Sequence, residues 1–300
     1  MPDQAEKLRN LIKKDRNINI DDFVTKEREK KSKVISITSG KGGVGKTNFT
    51  INLAISLKRL GYEVVVFDAD IGLANIDIVS GTITKYTISN LLKDGLDIFE
   101  VIHEGPEGIK ILSGGTGINE LTLIDDKSIN KIIDELGKLE RFSDFILIDT
   151  GAGIHNSVTD FIMSSDEVIV ITTPDPTSIT DSYTLIKTLV LKGYGRQLNV
   201  VINMVDSRTN AYEVFNKLNR ATDRFLNIQL NFLGFLDRNN IVSNAVRKQV
   251  PFVISDPYNQ ISKKINIIAL NTAKGINVLP DYRPKSFVEK LKYFLLKKGD

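Results

Sequence analysis

Apolar, β-branched runs recur through the body of the chain at VISITS (34–39), VVVFD (64–68), IKIL (109–112), FILID (145–149), VIVIT (168–172), LNVVINMV (198–205) and around LNFLGF (230–235). Stretches with helical apolar spacing lie between most of them, at 46–60, 127–140, 178–192, 209–226 and 257–274. Near-continuous apolar strands are buried on both faces, and strands alternating with helices form mainly parallel sheets. The pattern predicts a single-domain α/β fold, a doubly wound, mainly parallel sheet with helices on both faces. Ligands of such sheets bind at the carboxyl ends of the strands.

The two ends differ from this body. Residues 1–14 place Ala5, Leu8, Leu11 and Ile12 on one helical face, and 15–33 are polar and charge-rich, a linker. The body spans 34–280. A loop (PDYRP) then leads into a terminal helix within 281–300. Its Phe287, Val288, Leu291, Phe294 and Leu295 share about 120° of a helical wheel, with most lysines outside that arc.

Charge sharpens the division. The net charge is +3, but residues 1–33 carry ten basic and seven acidic side chains and 285–300 carry five and two, so the body is mildly acidic between basic ends. That suits ends that touch an anionic surface and not a body that wraps nucleic acid. The chain has 300 residues, 41% hydrophobic and 26% charged, which is ordinary for a globular protein. No apolar run reaches the ~18–20 residues of a membrane span, and the N-terminus has no signal-peptide core. With no cysteine, disulfides, thiolate metal sites and Fe–S ligation are excluded. The two histidines, His103 and His155, are far apart and read as structural or exposed.

Candidate chemistry begins where the first strand ends. Gly40-Lys41-Gly42-Gly43-Val44-Gly45-Lys46-Thr47 fits G-x-x-x-x-G-K-[ST] between a strand and a helix. Glycines let successive N–H groups turn inward on phosphate oxygens, and the helix N-terminus adds its positive dipole end. Lys46 brings a full charge to the β- and γ-phosphates, and the Thr47 hydroxyl suits Mg²⁺. The second strand ends in Asp68-Ala69-Asp70, two carboxylates on one strand face, and FILID ends in Asp149 before Thr150-Gly151-Ala152-Gly153. Three carboxylates at strand ends beside a phosphate loop form a metal- and water-handling set.

The extra lysine, Lys41, inside the loop makes the sequence from about 33 to 275 resemble the ParA/MinD family of dimerising, deviant Walker A P-loop ATPases of the SIMIBI class. The resemblance implies ATP and Mg²⁺ as ligands and a homodimer when ATP is bound. It implies that Lys41 crosses to the partner's nucleotide as an arginine finger does. Asp70 would activate the attacking water, and Asp68 and Asp149, with Thr47, would serve the metal. Gly72–Asp77 would line the dimer interface. Many relatives have proline where this chain has Gly151, so this loop should be less stiff. The ATP-binding positions would run from Gly40 to Asn48. Asn203 would read adenine, and the loop around Asp237 and Arg238 would close over the base. Thr173-Pro174-Asp175 matches a family loop near nucleotide and interface.

The ends select a branch. Asp3-Gln4-Ala5-x-x-Leu8-Arg9 resembles the activator helix of the flagellar-number regulators (FlhG, also called YlxH or FleN). That resemblance implies slow ATP hydrolysis used as a switch, control of flagellar number and placement, and stimulation of the GTPase FlhF with Gln4 in the key role. It also implies flagellar switch-complex proteins as partners. The terminal helix would lie on anionic membrane lipids through Phe287, Val288, Leu291, Phe294 and Leu295, placing the protein in the cytoplasm and, when ATP-bound, on the inner face of the membrane. No sequence-specific nucleic acid partner is expected. A division-site MinD and a DNA-partitioning ParA are the alternatives.

Overall fold

A computed structural model describes residues 32–70, 76–114, 126–153, 156–274 and 286–296. The strands are β1 (Lys33–Thr38), β2 (Val64–Ala69), β3 (His103–Glu104), β4 (Lys110–Ser113), β5 (Phe145–Thr150), β6 (Glu167–Thr172), β7 (Leu198–Val205) and β8 (Asn231–Asp237). The helices are α1 (Lys46–Arg59), α2 (Ile76–Ser80), α3 (Ile88–Lys93), α4 (Ile98–Val101), α5 (Asp126–Phe142), α6 (Asn156–Ser164), α7 (Pro176–Leu191), α8 (Arg208–Leu226), α9 (Asn240–Lys248), α10 (Phe252–Ser255), α11 (Gln260–Lys274) and α12 (Phe287–Leu296).

The strands form one sheet in the order β3-β4-β2-β5-β1-β6-β7-β8. All neighbours are parallel except the two-residue edge β3, which runs antiparallel to β4. Each interior strand feeds both faces. Ile35, Ile37, Phe145 and Leu147 pack under α1, α10 and α11, while Val34, Val65, Ile146 and Ile148 meet α5 on the other side. A third cluster sits under α7 and α8. This two-sided burial is why the strands read as continuous apolar runs.

The order puts β1 between β5 and β6, with β2 beyond β5. The carboxyl ends of β1, β2 and β5 are thereby side by side, and Asp68 is in register with Asp149. His103 is structural: its Nε2 accepts the backbone N–H groups of Lys85 (2.7 Å) and Tyr86 (3.0 Å), and its ring stacks on Tyr86.

The terminal helix is docked on the body. The apolar face assigned to a membrane is turned into the body. Phe287, Val288 and Leu291 are buried in the cluster formed with α5, Leu295 packs against that cluster, and Phe294 packs against the neighbouring one. Ser286 and Glu289 close a reciprocal cap: the Ser286 N–H reaches Glu289 Oε2 (2.8 Å) and the Glu289 N–H reaches Ser286 Oγ (3.0 Å). The Phe287 N–H donates to Glu140 Oε1 (3.1 Å) and Lys290 Nζ to Asp166 Oδ1 (3.2 Å). An amphipathic helix buries its apolar stripe on any apolar surface within reach, and the body offers one.

Candidate nucleotide site

The loop from Gly40 to Gly45 needs its first and last glycines for different reasons. A Cβ on Gly40 would lie 2.2 Å from the backbone carbonyl carbon of Asp181, inside α7. Gly45 sits at φ +91°, a left-handed conformation that disfavours side chains, and a Cβ there would lie 2.6 Å from the Asn203 amide nitrogen. Gly45 caps α1 without a side-chain hydrogen bond, and the first turn of α1 carries no acid. Free N–H groups at a positive helix end suit an anion. Lys46 is buried, its charge turned inward.

The residues expected to serve a metal lie together at the ends of β2 and β5 and the start of α1. Thr47 Oγ1 donates to Asp149 Oδ2 (2.6 Å), and Thr50 Oγ1 donates to Asp149 Oδ1 (3.3 Å). Asp149 is almost fully buried, and burial pushes its carboxyl up to about 6 against the pull of the threonine hydroxyls and Lys46. Asp68, also buried, accepts the Asp70 N–H on Oδ1 (3.0 Å), while its Oδ2 has no hydrogen-bond partner. Burial, then the charge of Asp149, pushes Asp68 up to about 8. Two adjacent buried carboxyls, one with an unpartnered oxygen, beside a threonine hydroxyl and a lysine, form the oxygen-donor set that suits Mg²⁺. The described residues hold no cluster of three or more His, Cys, Asp or Glu built as a complete cage. Mg²⁺ ordinarily takes one or two carboxylates and fills its shell with phosphates and water, so the residues fit the ion when it arrives with a nucleotide.

Asp70 follows on the same strand end, half-buried, with its Oδ1 3.1 Å from where a Cβ on Gly151 would stand. Glycine at 151 leaves room for this carboxylate beside the β5 loop. The Gly153 N–H donates to Ser39 O (3.0 Å), tying that loop to the entry of the phosphate loop.

Four expected ligands have other partners. Asn203 donates from Nδ2 to Val44 O (2.7 Å) and accepts the Met204 N–H (2.9 Å), so its amide braces the phosphate loop. The register shift near the end of β7 and the left-handed Met204 (φ 57°) accompany this turn of the side chain. Asp237 is held by Lys264, with Nζ 2.7 and 2.6 Å from its two oxygens and the same ammonium over the Phe235 ring. Arg238 is exposed, 3.7 Å from Asp206. Lys41 donates to Asp175 Oδ2 (3.0 Å) and Thr177 Oγ1 (2.5 Å) of its own chain. Lys41, Gly42, Gly43, Asp175, Met204 and Arg238 border a cavity of about 250 Å³.

Thr50, Lys264 and Thr177 are the site residues that sequence reasoning missed. Thr50 carried a signal: it lies one helical turn beyond Thr47 and so on the same face of α1. The other two are joined to the site by chain-distant contacts that no local spacing reveals. Gln4 and Gly72–Asn75 lie outside the described residues.

A phosphate loop at the end of a central parallel strand, with carboxylates at the ends of the next two strands on one side of it, defines a P-loop nucleotide hydrolase. The ParA family model, described as NUBPL iron-transfer P-loop NTPase, matches residues 30–273. The antiactivator FleN of Pseudomonas aeruginosa is 34% identical over 236 residues, 79% of this chain and 84% of its own. The flagellum site-determining protein YlxH of Helicobacter pylori is 35% identical over 302 residues, 98% of this chain and 100% of its own. Among solved structures, MinD of Pyrococcus horikoshii complexed with Mg-ADP superposes with a TM-score of 0.66 at 23% identity, covering 84% of this chain and all of that one. MinD in the MinC:MinD complex of Aquifex aeolicus gives 0.65 at 24%, covering 84% and 99%. The chain belongs to the ParA/MinD family of P-loop NTPases and is an ATP hydrolase. Having no cysteine, it lacks the thiolates that an iron carrier would use.

Proposed function

We propose that this chain is a MinD-like ATPase switch that regulates flagellar number and placement. The observation that carries the reading is the end-to-end likeness to YlxH, which takes in the N-terminal extension as well as the body. A putative septum site-determining MinD of Emiliania huxleyi matches 82% of the chain at 32% identity, against 98% at 35% for YlxH, so the division-site reading has somewhat less behind it.

In this reading Lys46 and the amides at the start of α1 hold the nucleotide phosphates. Thr47, Asp68 and Asp149 would hold Mg²⁺, which when bound neutralises charge on the phosphate oxygens. Asp70 orients the attacking water at the mouth of the site. Lys41 leaves its own chain and reaches the nucleotide of a second copy, where charge develops in hydrolysis. Asn203 holds the loop in shape, and the β8 loop at Asp237 and Arg238 closes over the base.

The docked α12 adds a condition. Membrane binding through Phe287, Val288, Leu291, Phe294 and Leu295 requires this helix to leave α5 and α6, and ATP-driven pairing is the event that would favour release. Two released helices on one dimer bind a surface far more strongly than one, and each lysine near anionic lipid adds about 1 kcal/mol. The N-terminal segment, with Gln4, stimulates FlhF, and switch-complex proteins receive the assembled dimer.

GTP hydrolysis by FlhF, measured with the full chain, with a chain lacking residues 1–33 and with Gln4→Ala, tests the flagellar reading. Stimulation by the full chain alone supports it. Equal rates in all three contradict it.

A further inference from the structure

We propose that the N-terminal segment 1–14 docks as an amphipathic helix on the aromatic pair Phe99 and Phe142 of its own chain. Docking of this kind holds the segment when no partner is present, whatever partner it serves.

Phe99 on α4 and Phe142 at the end of α5 are 46% and 39% exposed, and their rings meet edge to face with centroids 5.4 Å apart. Their neighbours Ile98 and Leu139 are buried. The backbone under the pair is therefore fixed while the rings stay outside the core. A single exposed ring is unexceptional, but two in contact on adjoining elements form a patch whose covering removes apolar area from water.

The surroundings select the occupant. Residues 94–104 carry Asp94, Asp97, Glu100 and Glu104 and no lysine or arginine. Lys138 answers Asp97 and Lys110 answers Glu104, while Asp94 and Glu100 have no cation partner among the described residues. These acids disfavour an anionic lipid surface. They equally disfavour a second copy meeting through the same face, where like charges would oppose. A basic apolar segment fits, and residues 1–14 are one. On a helix Ala5, Leu8, Leu11 and Ile12 form the apolar arc, and Lys7 and Arg9 stand about 40° beyond its two edges. With Lys13 and Lys14, the segment has four bases against Asp3 and Glu6.

The chain also delivers the segment to this place. Ser32 is buried against the last turn of α5: its N–H donates to Glu140 O (2.9 Å) and its Oγ to Ser143 O (2.7 Å). Phe142 lies between those two acceptors in sequence. The 17 residues 15–31 that precede Ser32 span at most about 60 Å when extended, ample for a return to an adjacent patch. A flexible tether of this size gives an effective concentration on the order of millimolar, so even a weak contact is occupied about half the time or more. While docked, Leu8, Leu11 and Ile12 are covered, and a protein that binds them must first displace the segment from Phe99 and Phe142.

The chain has no tryptophan, so Phe142→Trp supplies a single reporter at the patch. Acrylamide quenching of this full-length protein is compared with the same protein carrying Leu8→Glu and Leu11→Glu, or Lys7→Glu and Arg9→Glu. Replacing the leucines should raise the quenching constant about twofold or more, because the tethered segment no longer covers the reporter. Reversing the two charges should raise it less. Dilution by about a hundredfold should leave the constant of the Phe142→Trp protein unchanged, as expected of a contact within one chain. Hydrogen exchange on the chain with Phe142 intact is the second measurement: Phe99→Ser should lower amide protection at residues 4–13. Quenching that ignores the leucine substitutions, or amides at 4–13 that exchange equally fast with and without Phe99, overturns the docking. Quenching that rises on dilution assigns the face to a second copy and overturns it as well.

Discussion

Asp68→Asn tests the electrostatics of the site in the absence of any ligand. Asp68 is buried, has an oxygen without a partner and stands in register with Asp149, which together push its carboxyl from 3.8 to about 8. Above pH 3.8 the unfolded chain releases this proton and the folded chain keeps it, so the folded state loses stability as pH rises, up to about 8. At 1.36 kcal/mol per pH unit, the loss between pH 4 and pH 7 is about 4 kcal/mol at most. Asparagine keeps an oxygen for the Asp70 N–H and does not titrate. Its amide, where an oxygen lacks a partner, costs about 1–3 kcal/mol at every pH, as an unpaired buried group does. The pH dependence is therefore the clean readout. Urea unfolding in EDTA at pH 4, 5.5 and 7 gives both stabilities by linear extrapolation. Asp68→Asn should gain on wild type by several kcal/mol as pH rises from 4 to 7, and Mg²⁺ with nucleotide should narrow the gap by stabilising wild type more. Parallel pH profiles would refute the assignment of a strained carboxyl at this position.

Other outcomes follow from single contacts. Leu291→Ala should lower stability by about 2–5 kcal/mol in chemical unfolding, because the side chain is 1% exposed in the contact of α12 with the body; an unchanged midpoint would place the helix elsewhere. Gly40→Ala should weaken nucleotide binding at least tenfold in calorimetry, since its Cβ meets the α7 backbone at 2.2 Å; wild-type affinity would contradict that close approach. Liposome sedimentation of the full chain with ATP should be lost on deleting 285–300, and undiminished sedimentation would remove α12 as the anchor.

The interior of the fold was legible because burial on both faces leaves a one-dimensional trace. Every apolar run, from VISITS to LNFLGF, overlaps a strand. The helices longer than three turns were marked by their apolar spacing, whereas α2, α3 and α4, of four to six residues, are too short to show a period. β3 is two residues held to an edge by pairing alone. The phosphate loop, Thr47, Asp68 and Asp149 were legible because their chemistry demands fixed residue types at strand ends. The partners of Asn203, Asp237 and Lys41 were not, because Val44, Lys264 and Asp175 reach them only through the fold. The α12 stripe was legible as apolar, but its docking on the body was not, since a stripe of Phe and Leu does not distinguish a lipid surface from a groove between two helices.

The central claim is that Lys41 completes a site on another copy of the chain. Mixing Lys41→Ala with Asp70→Ala subunits and measuring phosphate release with ATP and Mg²⁺ tests it directly. A mixed dimer has one site with its own Asp70 and a Lys41 from the neighbour, so hydrolysis should appear in the mixture at up to about half the wild-type rate per dimer, with neither variant active alone. A mixture as inactive as its two components would show that the lysine serves only its own chain.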